Sequence, residues 1–267
     1  MNGSSMKLGQ YIEAESLIHK LDPRCKIASL IIVMSAIFGA DCFASLIALF
    51  IATCAVTHLS SVPFRSVIRS VKPVFVLVII TSLIHLFGTD GEKIISLGKI
   101  GITSEGAVLA VKMAMKLILL VVSASFLVLT TNPSKLTDGI EGLLSPLRRT
   151  GFPAHEFAMM MTIALRFIPA LFEETERIVD SQSSRGADFT RGGLLARTKA
   201  FIPVLIPVFV LVFRRADRLA TAMEARGYSG GEGRTRMCPL VWKRKDTIFL
   251  AATVLYTVLI ILLNGAE

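Results

Sequence analysis

Five apolar stretches, separated by polar segments, dominate the pattern of the chain. A helix that crosses a bilayer needs roughly 20 mainly apolar residues, and the fourth and fifth stretches are long enough on their own. Asp41 alone separates the first two, which predicts a tight helical hairpin with Asp41 at its turn. The pattern therefore predicts an all-α, polytopic membrane protein with about five transmembrane helices, at about 26–40, 42–59, 71–87, 107–130 and 247–263.

Composition supports the same class. The chain is 53% hydrophobic and only 18% charged, with a mean hydropathy of +0.65, whereas charged residues make up about a quarter of a soluble domain. The net charge of +9 fits the enrichment of lysine and arginine in cytoplasmic loops. These basic residues are not interleaved with aromatic ones, so a lipid bilayer and not a nucleic acid is the expected environment.

The distribution of basic residues predicts the orientation. The stretch 131–246 holds 18 of the 29 basic residues, and the segment before the first span and the loop 60–72 are also basic. The loop 88–106 carries only Lys93 and Lys99 against three acidic residues. Because basic segments stay inside, we expect a cytoplasmic N-terminus, with the loop 88–106 and the C-terminus outside.

This orientation divides the chain into four parts. Residues 1–25 form a cytoplasmic N-terminal segment and residues 26–130 the transmembrane helices 1–4. Residues 131–246 form a cytoplasmic region, and residues 247–264 the fifth transmembrane helix.

Local signals mark the start of two helices. Asp22-Pro23 and Asn132-Pro133 each place a capping side chain before a proline at the first helical position, where the missing N–H costs nothing. The outer loop 88–106 has short β-type runs between glycines, which favour a small hairpin.

The cytoplasmic region predicts one short helix, at 134–149, and two long helices of similar design. The helices at 153–184 and 194–226 each begin with an apolar half and end with a polar half. The apolar half of the second is short and contains Pro203 and Pro207, which we expect to break it, so that it does not cross a bilayer. It is expected to pack against the membrane or a partner.

Both long helices end in arginine followed by glycine, at Ser184-Arg185-Gly186 and Ala225-Arg226-Gly227. Glycine commonly terminates a helix in the left-handed conformation, and a cation suits the last turn. Ordinary capping is therefore one interpretation of both arginines. The duplication favours a second interpretation, in which the two helix ends, or tips, bind two similar sites, or sockets, on other molecules.

The other candidate charges are fewer. Lys112 and Lys116 lie one turn apart on one face of the fourth span, and Arg166 lies in an apolar half-helix where an acidic partner is expected. Ionisable groups within a span are functional candidates, although Lys112 in particular is expected to reach for the outer interface. A membrane enzyme that uses Lys112, Lys116 or His155 is the alternative from another class, but the sequence shows no cluster of polar residues at one depth.

Nucleotide and metal sites are not predicted. The segment GYSGGEGRT (227–235) lacks the lysine and the spacing of a phosphate-binding loop. The four histidines are scattered and show no spacing typical of metal ligands.

Nearly the whole chain resembles the transmembrane T component of energy-coupling-factor (ECF) transporters, which are relatives of ABC transporters. The resemblance includes GQYIEAESLIHKLDPRCKI, the segment LTTNPSKLTDGIEGLLSPLRRTGFPAHEFAMMMTIALRFIPALFEE, SSRGADF and FRRADRLATAMEARGYSGGEGRT. Two Ala-Arg-Gly motifs at the ends of cytoplasmic coupling helices characterise that family. The second is intact at Ala225-Arg226-Gly227, and the first has Ser184 in place of alanine.

The resemblance implies a coupling subunit of an ATP-driven micronutrient importer and not an enzyme. It implies that Arg185 and Arg226, with their neighbours Ser184, Gly186, Ala225 and Gly227, dock into two ABC-type ATPase subunits. It also implies that the apolar faces of the coupling helices hold a small membrane-embedded substrate-binding protein, the S component. ATP would be bound by the ATPase subunits, so no cofactor is expected in this chain.

The resemblance further implies a multi-pass protein of a bacterial or archaeal cell membrane. The ending AMEARGYSGG…GRT is closer to the shared, vitamin-type subunit of the family. A subunit dedicated to cobalt or nickel uptake is the alternative within the same family.

Overall fold

The computed structural model describes residues 16–89, 93–97, 100–146, 151, 153–187, 189, 193–230 and 240–265. These residues form α-helices and one two-stranded sheet, and the chain divides into two compact units. Of the described residues, those between 16 and 143 and between 240 and 265 belong to the larger unit, and those between 144 and 230 belong to the other. Each unit is described by itself.

The larger unit consists of a helical bundle and the hairpin. Its elements in chain order are α1 (Pro23–Gly39), α2 (Phe43–Leu59), α3 (Phe64–Val71), α4 (Phe75–Gly88), β1 (Lys93–Leu97), β2 (Ile100–Thr103), α5 (Ser104–Thr130), α6 (Pro133–Leu144) and, after the second unit, α9 (Arg244–Asn264). One 3₁₀ turn, Lys72–Val74, joins α3 directly to α4. The second unit contains α7 (Ala154–Ser184) and α8 (Leu194–Ala225).

The all-α, polytopic prediction is confirmed. Three of the predicted spans correspond to helices that are long and apolar enough to cross a membrane: the continuous segment 64–88, α5 and α9. The predicted hairpin of 26–40 and 42–59 is formed by α1 and α2, which have 17 residues each and therefore lie at the lower limit for a span. By length and composition α7 also qualifies, so its predicted cytoplasmic position stays a prediction that rests on its polar second half.

The predicted helix starts and hairpin are confirmed. The Asp22 side chain accepts the Arg24 N–H, with Pro23 in the first turn of α1. The Asn132 side chain accepts the Ser134 N–H at the start of α6. Strands β1 and β2 pair antiparallel, with Lys93 opposite Thr103 and Leu97 opposite Ile100.

The core of the larger unit lies where α1, α2, α5 and α9 meet. Ile37, Leu46, Leu119 and Ile260, one from each helix, are at most 1% exposed. Many other large apolar side chains, above all on α2 and α9, are exposed, as expected for helices that face lipid or a partner protein.

Two buried charged side chains, Asp246 and Lys26, connect helix ends on the side of the bundle where α1 begins. Asp246, in the first turn of α9, is 2% exposed and accepts hydrogen bonds from the N–H groups of Asp22 at 2.8 Å and Lys243 at 2.7 Å. Lys26 donates to the Thr130 carbonyl oxygen at 2.9 Å and to Thr131 Oγ1 at 3.3 Å. Because Thr130 ends α5, Lys26 stabilises the negative end of that helix.

We expect Lys26→Met to lower the stability of the folded chain by about 1–3 kcal/mol, because it leaves the buried Thr130 carbonyl oxygen without its donor. The measurement is the thermal unfolding midpoint of the purified chain in detergent. Lys135→Met is the matched control, since Lys135 is exposed on α6. Equal midpoints for the two variants would show that the buried lysine contributes nothing.

One expectation for the second unit is wrong. Pro203 and Pro207 do not break the apolar half of α8, because the helix is continuous from Leu194 to Ala225. Each proline removes one backbone donor, but both lie on one exposed side of the helix, four residues apart. The remaining hydrogen bonds hold the helix together, as they do around Pro169 in α7.

Candidate functional site

Helix α7 ends in a Schellman motif at the first Arg-Gly pair. Arg185 is the C-cap, and Gly186 follows with φ +91°. The Gly186 N–H donates to the Ser183 carbonyl oxygen and the Ala187 N–H to the Gln182 carbonyl oxygen, both at 3.0 Å. This pair of bonds satisfies two carbonyl groups that the helix would otherwise leave open.

Helix α8 ends in the same way. Arg226 is the C-cap, and Gly227 has φ +74°. The Gly227 N–H donates to the Glu224 carbonyl oxygen at 2.9 Å and the Tyr228 N–H to the Met223 carbonyl oxygen at 3.0 Å. The two ends thus have the same backbone conformation and the same hydrogen-bond pattern.

The glycines are required by conformation and not by space. A Cβ atom added at Gly186 or Gly227 would meet nothing within 4 Å, but a positive φ is unfavourable for any residue with a side chain. The capping interpretation of the sequence is therefore correct for the two glycines. It leaves open what the arginine side chains do.

Both arginine side chains are exposed. Arg185 and Arg226 make no ion pair with any residue that the structure describes. Their small neighbours are exposed too. Among the described residues, the Ser184 hydroxyl donates only to the Asp180 carbonyl oxygen of its own helix, and the Ala225 side chain is not polar. Each tip therefore presents a guanidinium flanked by a small side chain.

An ion pair joins α7 and α8 at corresponding positions. Arg215 Nη2 lies 2.9 Å from Glu174 Oε2, and both side chains are partly exposed. Glu174 is eleven residues before Arg185, and Arg215 is eleven residues before Arg226. At 1.5 Å per residue, each tip thus lies about 16 Å along its helix from the contact.

The likeness of the two polar halves includes a further pair of residues. Arg177 and Arg218 are exposed and each lies eight residues before its tip. The two polar halves can therefore be aligned on their Arg-Gly ends from the sequence alone. This alignment puts Glu174 and Arg215 at corresponding positions.

The apolar half of α8 carries an exposed stripe. Ile202, Ile206, Phe209 and Phe213 follow helical spacing and are 49%, 60%, 59% and 66% exposed. Large apolar side chains in such a row mark a surface that lipid or another protein covers.

Lys112 and Lys116 contact the turn between α1 and α2. Lys116 Nζ lies 2.9 Å from Asp41 Oδ1 and 3.3 Å from the Phe38 carbonyl oxygen. Lys112 Nζ lies 5.1 Å from the centre of the Phe43 ring, within the range of a cation–π interaction. Both side chains therefore join α5 to this turn.

Asn264, at the end of α9, contacts the same turn and was not singled out from the sequence. Its Oδ1 accepts the N–H groups of Asp41 and Cys42, both at 2.9 Å, and its Nδ2 donates to the Gly39 carbonyl oxygen at 2.7 Å. One side chain thus satisfies three backbone groups between the two helices.

Arg166 is exposed on α7 and makes no ion pair with the described residues. The acidic partner expected for it is therefore not found in that part of the chain. Nor do the described residues contain a group of three or more His, Cys, Asp or Glu side chains placed to hold a metal ion.

We expect Gly227→Ala to loosen the end of α8, because a left-handed residue with a Cβ costs about 1–2 kcal/mol. Amide hydrogen exchange at Gly227 and Tyr228 should become about 5–30-fold faster. Gly193→Ala is the control, since Gly193 has φ −70° and no neighbour that a Cβ would meet. Unchanged exchange in Gly227→Ala would show that the positive φ is not required.

We expect Lys116→Met to leave the activity of the protein nearly unchanged. Asp41 is 81% exposed, and an ion pair with so exposed a partner contributes at most about 1 kcal/mol. The measurement is the activity of the assembled protein in membranes, at matched expression. A complete loss of activity would instead support chemistry at this lysine.

Comparison with known proteins places these features in a family. Residues 14–237 match the model of a family described as CbiQ, cobalt transport protein. The chain is 48% identical to the energy-coupling factor transporter transmembrane protein of Ruminiclostridium cellulolyticum, over 96% of each chain. It is 50% identical to that of Thermanaerovibrio acidaminovorans, over 91% of this chain and 90% of the relative.

A more distant relative covers almost all of both chains. The protein of the same name from Bacillus subtilis is 40% identical over 98% of this chain and 99% of its own. The matches thus include the bundle of the larger unit and both Arg-Gly ends. The chain belongs to the family of energy-coupling factor transporter transmembrane proteins.

Proposed function

We propose that this chain is the coupling subunit of an ATP-driven micronutrient importer and that it docks two ATPase subunits through Arg185 and Arg226. Arginine offers a permanent charge and a planar set of donors that suits a polar groove with acidic or carbonyl acceptors. The assembly of the relatives into energy-coupling factor transporters, implied by their name, supports this proposal.

The duplicated helix end is the observation that carries the proposal. Two helices joined at corresponding positions by Arg215 and Glu174 end in the same Schellman motif, each with an exposed arginine. Helix capping requires only the glycine, so it does not account for the repetition of an exposed arginine. Two equivalent sockets, one on each ATPase subunit, account for it.

The proposed second partner is a small membrane-embedded substrate-binding protein. Its site is the apolar stripe of α8, from Ile202 to Phe213, together with the exposed apolar side chains of α7 such as Phe157 and Met160. ATP-driven movement of the two tips would then be transmitted along α7 and α8 to the bound partner.

This role requires the ends of α7 and α8 to lie in the cytoplasm. The high content of basic residues between 131 and 246 favours that side. In the larger unit, the start of α1 lies beside the end of α5, where Lys26 contacts Thr130. The two ends therefore share one side of the membrane, and we propose a cytoplasmic N-terminus and an outer C-terminus.

We further propose that the chain has no catalytic role and no cofactor of its own. The ATPase subunits would bind and hydrolyse ATP. Lys112 and Lys116, the candidates for intramembrane chemistry, have packing partners in Phe43 and Asp41, so a structural role is sufficient to explain them.

Vitamins and metal ions are the two candidate classes of transported substrate. A vitamin is favoured, because the relatives carry the general transporter name and the end of the chain resembles the shared type of subunit. The description of the matching family as cobalt transport protein supports a cobalt or nickel importer as the second candidate. The small partner protein would determine which cargo is taken up.

The test is purification of the tagged chain from its own membranes with mild detergent, followed by identification of the proteins that come with it. We expect two ABC-type ATPase subunits and one or more small hydrophobic proteins. Reconstituted vesicles would then be tested for ATP-dependent uptake of labelled vitamins and of labelled cobalt or nickel. Purification of the chain without any ATPase would contradict the proposal.

A further inference from the structure

An open groove of about 1120 Å³ lies on the larger unit between α2, α3, the start of α4 and α5. Its walls are mainly apolar, with Phe50 and Cys54 from α2 and Ile118 and Val122 from α5. Arg65, Arg69 and Lys72 also line the groove and form what we call its basic end. The groove plays no part in the proposed docking of the ATPase subunits or of the small membrane partner.

Helix α3 gives the groove its two characters. Phe64, Val67, Ile68 and Val71 are spaced on one side of the helix. Arg65 and Arg69, with Lys72 in the 3₁₀ turn that follows, have a similar spacing on another side. Phe64 and Ile68 remain 66% and 55% exposed. As the basic start of the segment 64–88, α3 has a composition typical of the boundary between lipid headgroups and acyl chains.

Within the described part of the chain, the three cations Arg65, Arg69 and Lys72 have no acidic partner. The chain contains no Asp or Glu from residue 42 to 89, nor from residue 106 to 137. Neither Arg65, Arg69 nor Lys72 makes an ion pair with any residue in the described ranges. Three neighbouring positive charges at the edge of an apolar groove thus lack a counter-ion among the residues that the structure describes.

The packing of α3 indicates where the groove lies across the membrane. Val62 and Val67 pack against Leu129, close to the end of α5 where the Lys26–Thr130 contact lies. From His58, near the basic end, the groove follows α2 back to Phe50, a distance of about 12 Å at 1.5 Å per residue. The basic end therefore lies at the membrane surface and the apolar part within the hydrocarbon layer.

We infer that this groove binds an anionic phospholipid. The phosphate of the headgroup would lie between Arg65, Arg69 and Lys72, where guanidinium groups match its oxygens, and an acyl chain would lie along Cys54 and Ile118. At the membrane surface, where the three cations lie, anionic headgroups supply the counter-charge directly, whereas a partner helix would have to bring acidic side chains of its own. A zwitterionic lipid would leave the excess positive charge unbalanced.

The test is native mass spectrometry of the delipidated full chain, titrated with dioleoylphosphatidylglycerol or with dioleoylphosphatidylcholine. Each basic residue near a lipid surface strengthens binding of an anionic lipid about fivefold. We expect at least a tenfold preference for phosphatidylglycerol in the wild type. The triple variant Arg65→Gln, Arg69→Gln, Lys72→Gln should lose that preference.

The matched control is Lys135→Gln, Arg244→Gln, Lys245→Gln, which removes three exposed charges of the same unit outside the groove. We expect this control to keep the preference. A second variant, Cys54→Phe, fills the apolar part and leaves the cations in place, so it should weaken phosphatidylglycerol binding about tenfold or more. If the triple variant does not fold, Cys54→Phe alone still tests whether the groove binds the lipid.

Four results would overturn the inference. One is equal binding of the two lipids by the wild type. Another is an equal loss of preference in both triple variants, which would indicate general charge attraction without a site. The third is undiminished binding by Cys54→Phe. The fourth is a groove variant that keeps its lipid preference but loses a co-purifying membrane protein, which would make the groove a protein interface.

Discussion

Replacement of both Arg185 and Arg226 with glutamate is expected to abolish ATP-driven uptake while the chain still folds and enters the membrane. Loss of one hydrogen-bonded charge from a protein interface costs about 2–5 kcal/mol, and the reversed charge adds repulsion at each socket. The same change costs the helix end less than about 1 kcal/mol. Uptake by reconstituted vesicles, together with thermal unfolding of the purified chain, measures the two effects separately.

The matched control for this prediction is the double variant Arg177→Glu, Arg218→Glu. These arginines are exposed on the same two helices, each eight residues before its tip, and the charge change is the same. We expect the control to keep most of the uptake. Equal losses in both double variants would show that the overall charge of the region matters, and that the tips have no special role.

Phe209→Asp is expected to detach the small membrane-embedded partner and thereby stop uptake. Phe209 lies in the middle of the apolar stripe and is 59% exposed in the isolated chain. A carboxylate buried there against an apolar partner would cost several kcal/mol. The measurement is the amount of the small partner that co-purifies with the chain, at an unchanged amount of ATPase.

Ala222→Asp controls for the introduced charge. Ala222 is exposed in the polar half of α8, on the side of the helix opposite to Phe209. We expect this variant to retain the small partner. If Phe209→Asp retains it as well, the stripe faces lipid alone and the partner binds elsewhere.

The helices of this chain could be predicted because local features determine them. The apolar runs mark the spans, Asp22 and Asn132 cap α1 and α6, and glycine ends α7 and α8. The two prolines of α8 show the limit of such local reasoning. A proline removes one donor, but the bonds of its neighbours on either side keep the helix continuous.

The contacts between distant segments could not be predicted from the sequence. Asp246 accepts the Asp22 N–H across 224 positions, and Asn264 caps the α1–α2 turn from the opposite end of the chain. Asn264 belongs to no recognisable local pattern, and the local role of Asp246, as the third residue of the α9 capping box, does not indicate its contact with Asp22. The packing of α9 against α1 and α2 is needed to bring both residues into place.

The candidate site could be predicted only in part from the sequence. The two Arg-Gly ends were visible in the sequence, and the structure adds that both are Schellman motifs with exposed arginines. The pairing of Glu174 with Arg215 was not foreseen, although the equal spacing from the tips was present in the sequence. Only the three-dimensional arrangement showed that these equal positions are in contact.

Retention of the ATPase subunits by the two double arginine variants tests the docking proposal most directly. The tagged chain would be purified with mild detergent from membranes that contain its partners, and the ATPase that accompanies each variant would be quantified. We expect wild-type amounts with Arg177→Glu, Arg218→Glu and little or none with Arg185→Glu, Arg226→Glu. Full retention by the latter, with a correctly folded chain, would show that the two arginines only end their helices and that the ATPases dock elsewhere.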